Sequence, residues 1–149
     1  MDDEEERPVT LPAMVRAALA RLARDDDGFV ALFETETTDN AGHHNASSER
    51  QTAAILEFDR AVAVALEFAR RTPGTLVVVT SDHETGGISL VRQGEEFRLQ
   101  YATTGHTGNV VPLFASGPGA ERFGGFRDSA EIGRTFLSIV RGWTSGGER

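Results

Sequence analysis

The sequence predicts an α/β sandwich, with a mostly parallel sheet flanked by helices and a hairpin excursion. Three observations carry that expectation. Two apolar runs, Phe29-Val-Ala-Leu-Phe33 and Leu76 to Thr80, are separated by a stretch long enough for a right-handed parallel crossover. Acidic and histidine side chains gather just past the ends of those runs, where open parallel sheets place their ligands. Beyond residue 87, two alternating segments are interrupted by Gln93-Gly94, which reads as a hairpin.

Each element has its own signal. Val9 to Ala23 reads as a helix: Thr10 can cap it, Pro12 suits its first turn, and Leu11, Met14, Val15, Leu19 and Leu22 recur at helical spacing. Asp25-Asp-Asp-Gly28 ends it, and Phe29–Phe33 follows as a buried strand with Glu34 at its end. A longer helix is expected from about Ser48 to Arg71, with Ile55, Phe58, Val62, Leu66 and Ala69 on one face and Pro73-Gly74 as its stop. Leu76 to Thr80 is the clearest strand. Ile88–Arg92 and Glu96–Tyr101 form the expected hairpin, and Val110–Ala115 a peripheral strand, because Pro112 cannot donate to a ladder. Ser129 to Val140 is a final helix, with Asp128 and Glu131 at capping-box spacing. Residues 1–9 read as an acidic leader, 10–141 as the folded region and 142–149 as a flexible tail.

Composition narrows the function. A chain of 149 residues, 39% hydrophobic, is long enough for one domain with its own core. Its 23 acids against 15 bases, a net charge of -8, disfavour attraction to nucleic acid or anionic membranes. No run approaches the length of a membrane span, and Met1-Asp-Asp-Glu-Glu-Glu-Arg7 is unlike a signal peptide. With no cysteine, any metal must be held by nitrogen and oxygen.

The chemistry-bearing residues are few. Asp82 and His83 follow the clearest strand directly, a position from which two ligands can converge on one ion; in the plainer reading Asp82 caps the next turn and His83 packs. Asp39 and His43 stand four residues apart and meet on one face of a helical turn, as a zinc-gripping pair or as an ordinary turn. His44 beside them reads as a surface or supporting group. His106, in the glycine-flanked Thr104-Gly-His-Thr-Gly108, gains weight only from the other candidates. A carboxylate at Glu34, ending a buried strand, must be paired, solvated or bound to a cation, with Glu36 as its solvent-facing neighbour. The oxygen ligands suit magnesium and the mixed His and Asp sets suit zinc. Two such ions could stabilise entering and leaving oxygens in phosphoryl transfer.

Four segments together resemble the alkaline phosphatase family: Phe29-Val-Ala-Leu-Phe-Glu-Thr-Glu-Thr-Thr-Asp-Asn-Ala-Gly-His43, Leu56-Glu-Phe-Asp-Arg-Ala-Val62, Thr75-Leu-Val-Val-Val-Thr-Ser-Asp-His-Glu-Thr-Gly-Gly87 and Thr103-Thr-Gly-His-Thr-Gly108. Their order and spacing agree from about residue 10 to 141, and Gly117-Pro-Gly-Ala120 and Asp128–Gly133 resemble the family's C-terminal region. The resemblance implies a partial alkaline-phosphatase-like sandwich and hydrolysis of phosphate monoesters through a phosphoserine intermediate. It implies that Asp39, His43 and His106 bind one Zn(2+), that Asp82 and His83 belong to a second, and that Glu34 belongs to a Mg(2+) site. A periplasmic or secreted location and a homodimer partner also follow from it.

The departures are as informative. The family's nucleophilic serine, a further metal-bridging aspartate and its phosphate-clamping arginine lie in an N-terminal half with no counterpart among these residues. The chain therefore reads as the C-terminal portion, nearly inactive alone, with the missing half as a partner. Asp128-Ser129-Ala130 imitates the nucleophile triplet, but Asp128 is better explained as a helix cap. Thr35 and Thr38 replace the commoner glycine and isoleucine. The alternative expectation is a non-catalytic zinc-binding module or subunit that assembles with another chain; a third is another metal hydrolase or a phosphomutase of the same superfamily.

Overall fold

The computed structural model describes residues 9–144. Its elements run α1 (Leu11–Leu22), α2 (Thr37–His43), α3 (Ser48–Arg71), β1 (Val77–Val79), β2 (Glu84–Thr85), β3 (Ser89–Gln93), β4 (Glu96–Gln100), β5 (His106–Thr107), β6 (Phe114–Ser116), a 3-10 turn (Ala120–Phe123) and α4 (Ser129–Thr144). The leader expected at residues 1–9 lies outside the described residues except for Val9. Of the tail expected at 142–149, residues 145–149 also lie outside them, whereas 142–144 are helical, α4 ending at Thr144 instead of Val140.

The core forms between α1 and α3. Leu11, Val15 and Leu19 recur every four residues, so α1 buries one stripe, and Ala61 and Val64 of α3 complete the cluster. Phe29, Phe33, Phe58 and Phe68 pack around it, with the Phe29 and Phe68 rings 6.1 Å apart. The Glu57 carboxylate of α3 accepts from the Leu11 N–H at 3.3 Å, satisfying one of the donors left over at the start of α1. Met14, expected in the stripe, is half-exposed. On α3 the buried line is Gln51, Ala54, Ala61 and Val64, whereas Ile55 is exposed. Of that line, Ala61 and Val64 are the residues that share the cluster with α1.

The sheet corrects the sequence expectation. Among the described residues every ladder is antiparallel and two-stranded: β1 with β6, β2 with β5 and β3 with β4. A mostly parallel sheet is not seen. Phe29–Phe33, expected as a buried strand, has no ladder partner; its two phenylalanines enter the helical core while Val30 and Leu32 are exposed. A continuous apolar run is ambiguous in this respect, since period alone does not say which neighbour it pairs with. The helix between this run and β1 has crossover length, yet the two segments are not hydrogen-bonded to each other.

The strand expected at Val110–Ala115 is shorter and later, β6 running only Phe114–Ser116 against β1. In the hairpin, Gln93 pairs with Glu96, so the two-residue loop is Gly94-Glu95, one position later than Gln93-Gly94. Gly94 has φ +67, a conformation that a tight hairpin turn requires at its first central residue and that glycine adopts freely. Ser47 caps α3 by accepting from the Arg50 N–H at 3.3 Å. At α4 the Asp128 carboxylate accepts from the Glu131 N–H at 2.7 Å, and the Glu131 carboxylate accepts from the Asp128 N–H at 3.0 Å, a complete capping box. Among the described residues no helix is long and apolar enough to cross a membrane.

Candidate metal centre

Three loop-proximal elements converge on one spot. The short α2 turn carries Asp39 and His43 at i and i+4, and its entry is braced by Thr35, whose hydroxyl accepts from the Thr37 N–H at 3.3 Å. The β2–β5 ladder supplies the rest. Its register sets Thr85 opposite His106, and His83, two residues before Thr85, shares that face because side chains alternate along a strand. The His83 and His106 rings consequently stack with centroids 3.6 Å apart. Gly42 lets α2 close onto β2: a Cβ there would stand 2.9 Å from the Thr85 carbonyl oxygen and 3.0 Å from its side chain.

The tightest donor set is Asp39, His43 and His106. Asp39 Oδ2 lies 3.3 Å from His43 Nε2, Asp39 Oδ1 lies 3.5 Å from His106 Nε2, and the two imidazole Nε2 atoms are 3.2 Å apart. Two donors bound to one tetrahedral zinc, each at about 2.0–2.1 Å, stand about 3.3–3.4 Å apart. The Nε2–Nε2 and Asp39 Oδ2–His43 separations lie close to that value, while His106 faces the other Asp39 oxygen, Oδ1; the nitrogen and oxygen donors of this set suit a zinc ion. Asp39, His83 and His106 also bring one ligand atom each within 4.8 Å of one another, so His83 adjoins the same set.

Proton placement agrees with the fit. His43 Nδ1 is 2.5 Å from the Thr104 carbonyl oxygen, which can only accept, so Nδ1 carries the hydrogen and Nε2 keeps its lone pair for an ion. The same argument applies to His44, whose Nδ1 donates to the Asn40 carbonyl at 2.7 Å; the residue is exposed and points away from the cluster as a helix-end contact. Asp39 is held below its usual carboxylate range chiefly by the Thr85 hydroxyl, with the His43, His106 and His83 imidazoles adding to this and burial opposing it. The His106 side chain is 47% exposed, which leaves one side of the set open to solvent.

Asp82 and His83 form a neighbouring pair. Asp82 Oδ2 is 3.3 Å from His83 Nε2, again a spacing that one zinc could span, and Asp82 Oδ1 accepts from the His83 N–H at 3.1 Å. Asp82 thus braces its own turn through Oδ1, while Oδ2 faces the His83 imidazole on a side chain that is 79% exposed. Glu34 is exposed and falls outside the grouping of ligand atoms. Ser81 directs its hydroxyl to the His83 carbonyl at 2.7 Å, and Ser129 sits exposed in the first turn of α4 behind the Asp128 cap.

Sequence reasoning missed two supporting residues. Thr85 donates to Asp39 Oδ1 at 2.5 Å and lies 3.2 Å from His83 Nδ1. Its spacing of two from His83 within a strand was the available signal. Glu84 accepts from the Gly87 and Ile88 N–H groups at 3.1 and 3.0 Å and from the Thr107 hydroxyl, tying the turn after β2 to β5. Burial acts to raise the Glu84 carboxyl, but these donors outweigh it and hold it below its ordinary value.

Comparison with known proteins gives a consistent picture. The family model described as alkaline phosphatase matches residues 1–101. Repressible alkaline phosphatase of Saccharomyces cerevisiae is 40% identical over 106 residues, covering 66% of this chain and 18% of that protein. Streptomycin-6-phosphate phosphatase of Streptomyces griseus is 35% identical over 133 residues, covering 76% of this chain and 29% of its own length. Among solved structures, alkaline phosphatase from the Antarctic bacterium TAB5 superposes with a TM-score of 0.83 at 34% identity, over 93% of this chain and 42% of that one. A variant of the TAB5 enzyme with Mg bound in its M3 site superposes with a TM-score of 0.81 at 33% identity, over 93% of this chain and 43% of that one. The chain thus spans less than a third of these two curated relatives and under half of the matched structures.

Proposed function

This chain belongs to the alkaline phosphatase family, and from that premise we propose that it supplies the zinc-binding part of a site that hydrolyses phosphate monoesters. The observation that carries the proposal is the convergence of Asp39, His43 and His106: the two imidazole Nε2 atoms are 3.2 Å apart, and each faces an Asp39 carboxylate oxygen at 3.3 to 3.5 Å. Zinc held there would act as a Lewis acid on the charge that builds on phosphoryl oxygens. The chain's own residues do the positioning. The Thr104 carbonyl fixes the His43 tautomer, Thr85 orients Asp39, and the β2–β5 ladder sets His106 beside both.

Asp82 and His83 are proposed ligands of a second zinc. Their 3.3 Å separation supports this, and two protein ligands are fewer than the three that a catalytic zinc site ordinarily has. Glu34 is proposed as part of a Mg(2+) site, supported by its place beside α2 and by the Mg held in the TAB5 variant. A phosphate monoester is the proposed substrate, and a periplasmic or secreted location follows from the same family reading.

The 149-residue polypeptide by itself is proposed to be nearly inactive. Ser81 is engaged with a backbone carbonyl and Ser129 with a helix start, so neither is offered to the metal ligands as a nucleophile. A second reading, a non-catalytic zinc-binding module or subunit that assembles with another chain, is favoured by one observation: Val30 and Leu32 are 65% and 89% exposed in an apolar segment without a ladder partner. The assembling partner would be an N-terminal half carrying the nucleophile or a second copy.

Assaying the zinc-loaded chain on an aryl phosphate, alone and mixed with a separately expressed N-terminal half of a relative, tests these readings. Negligible turnover alone and activity on mixing is the expected result. Robust serine-dependent turnover by the chain alone would overturn the proposed inactivity; zinc binding with no activity in any mixture would favour the non-catalytic module.

A further inference from the structure

Resting on the reading that Asp39, His43 and His106 hold one ion and that Asp82 and His83 contribute to another, we propose that Thr85 is a positioning residue coupling the two ligand sets through its hydroxyl. Thr85 is 8% exposed and lies directly opposite His106 in the β2–β5 ladder. Its oxygen is 2.5 Å from Asp39 Oδ1 and 3.2 Å from His83 Nδ1, so one atom touches a member of each set.

Chemistry fixes the direction of both bonds. An ionised carboxylate only accepts, so the single hydroxyl hydrogen goes to Asp39. The same oxygen then faces His83 Nδ1 as an acceptor, which requires Nδ1 to carry the imidazole hydrogen. The relay runs from His83 Nδ1–H to the Thr85 oxygen and from the Thr85 hydrogen to Asp39. It leaves His83 Nε2 with a free lone pair, on the nitrogen that stands 3.3 Å from the Asp82 carboxylate. His43 reaches the same tautomer by a different donor–acceptor pair, through the Thr104 carbonyl.

The aim of the hydroxyl is fixed by packing. The absent Cβ of Gly42 would come within 3.0 Å of Thr85 Cβ and Cγ2, so α2 is seated against the side chain. Valine would preserve that shape and remove only the relay. Partners that orient metal ligands in this way commonly change metal affinity about 10–100-fold when lost.

The test measures zinc affinity of the whole chain by competition with a chromophoric chelator, for the wild type, Thr85→Val, Thr85→Ser and Asp39→Asn. Histidine nitrogen chemical shifts of the zinc-free wild type, recorded in alkaline buffer, report the His83 tautomer. Thr85→Val is expected to weaken zinc binding about 10–100-fold, and Thr85→Ser to restore it. His83 is expected to carry its hydrogen on Nδ1. Wild-type affinity in Thr85→Val overturns the proposal while Asp39→Asn still loses zinc, and the metal-site reading then stands. An Nε2–H tautomer at His83 in the wild type overturns it without reference to any variant. Unchanged affinity in Asp39→Asn would sink both the coupling role and the site it rests on.

Discussion

His106 gained its role from its neighbours, and single-residue changes should reveal that dependence. Removing the imidazole in His106→Ala deletes one of three donors spaced for tetrahedral zinc, so zinc affinity should fall by at least about 100-fold in a calorimetric titration. Asp82→Asn, which touches only the neighbouring pair, should leave that first binding event near its wild-type strength. The i and i+4 spacing of Asp39 and His43 is legible in the sequence because helical geometry alone brings such residues together. Their meeting with His106 is not, since it depends on the β2–β5 ladder and on α2 closing onto β2, which together bring His43 and His106 into contact across 63 positions. Glu84 carries a pH consequence. Its carboxyl is held below its ordinary 4.5 and that of Asp39 below 3.8, so each favours the folded chain above its unfolded value. That contribution is lost as pH falls through the lower folded values. Glu84→Gln should therefore flatten the fall of thermal stability below about pH 4.5, measured as melting temperature against pH.

Helix positions are legible in this sequence, whereas strand partners are not. The α3 boundaries at Ser48 and Arg71 are legible because a capping serine and Pro73-Gly74 bracket an uninterrupted helical pattern. Its buried face is not, because Ala54 and Ala61 carry little hydrophobic signal yet are buried, Ala61 in the cluster with α1. Strand pairing is a long-range choice, and an apolar run such as Phe29–Phe33 does not name its neighbour. The Asp128–Glu131 capping box gives a direct check on Asp128-Ser129-Ala130. Asp128→Ala should cost about 1 kcal/mol of stability by chemical denaturation, and Ser129→Ala should change stability little and alter no hydrolytic activity. The α2–β2 contact is more demanding. In Gly42→Ala the new methyl meets backbone at 2.9 Å, so destabilisation of about 1–3 kcal/mol and weaker zinc binding are expected together.

For the molecule as a whole, the packed part and the chemical part are distinct. The main apolar cluster lies between α1 and α3, while the candidate centre is assembled from α2, the approach to β2, and β5. An ion binding only the folded chain stabilises it by mass action, so zinc should raise the melting temperature in a concentration-dependent way. The central claim is that Asp39, His43 and His106 converge to hold one zinc. A zinc titration by calorimetry, comparing the wild-type chain with the His43→Ala/His106→Ala double variant at matched fold content, tests it most directly. Tight stoichiometric binding is expected in the wild type and its loss in the double variant; equal zinc binding by both chains would rule out a zinc ion held by Asp39, His43 and His106.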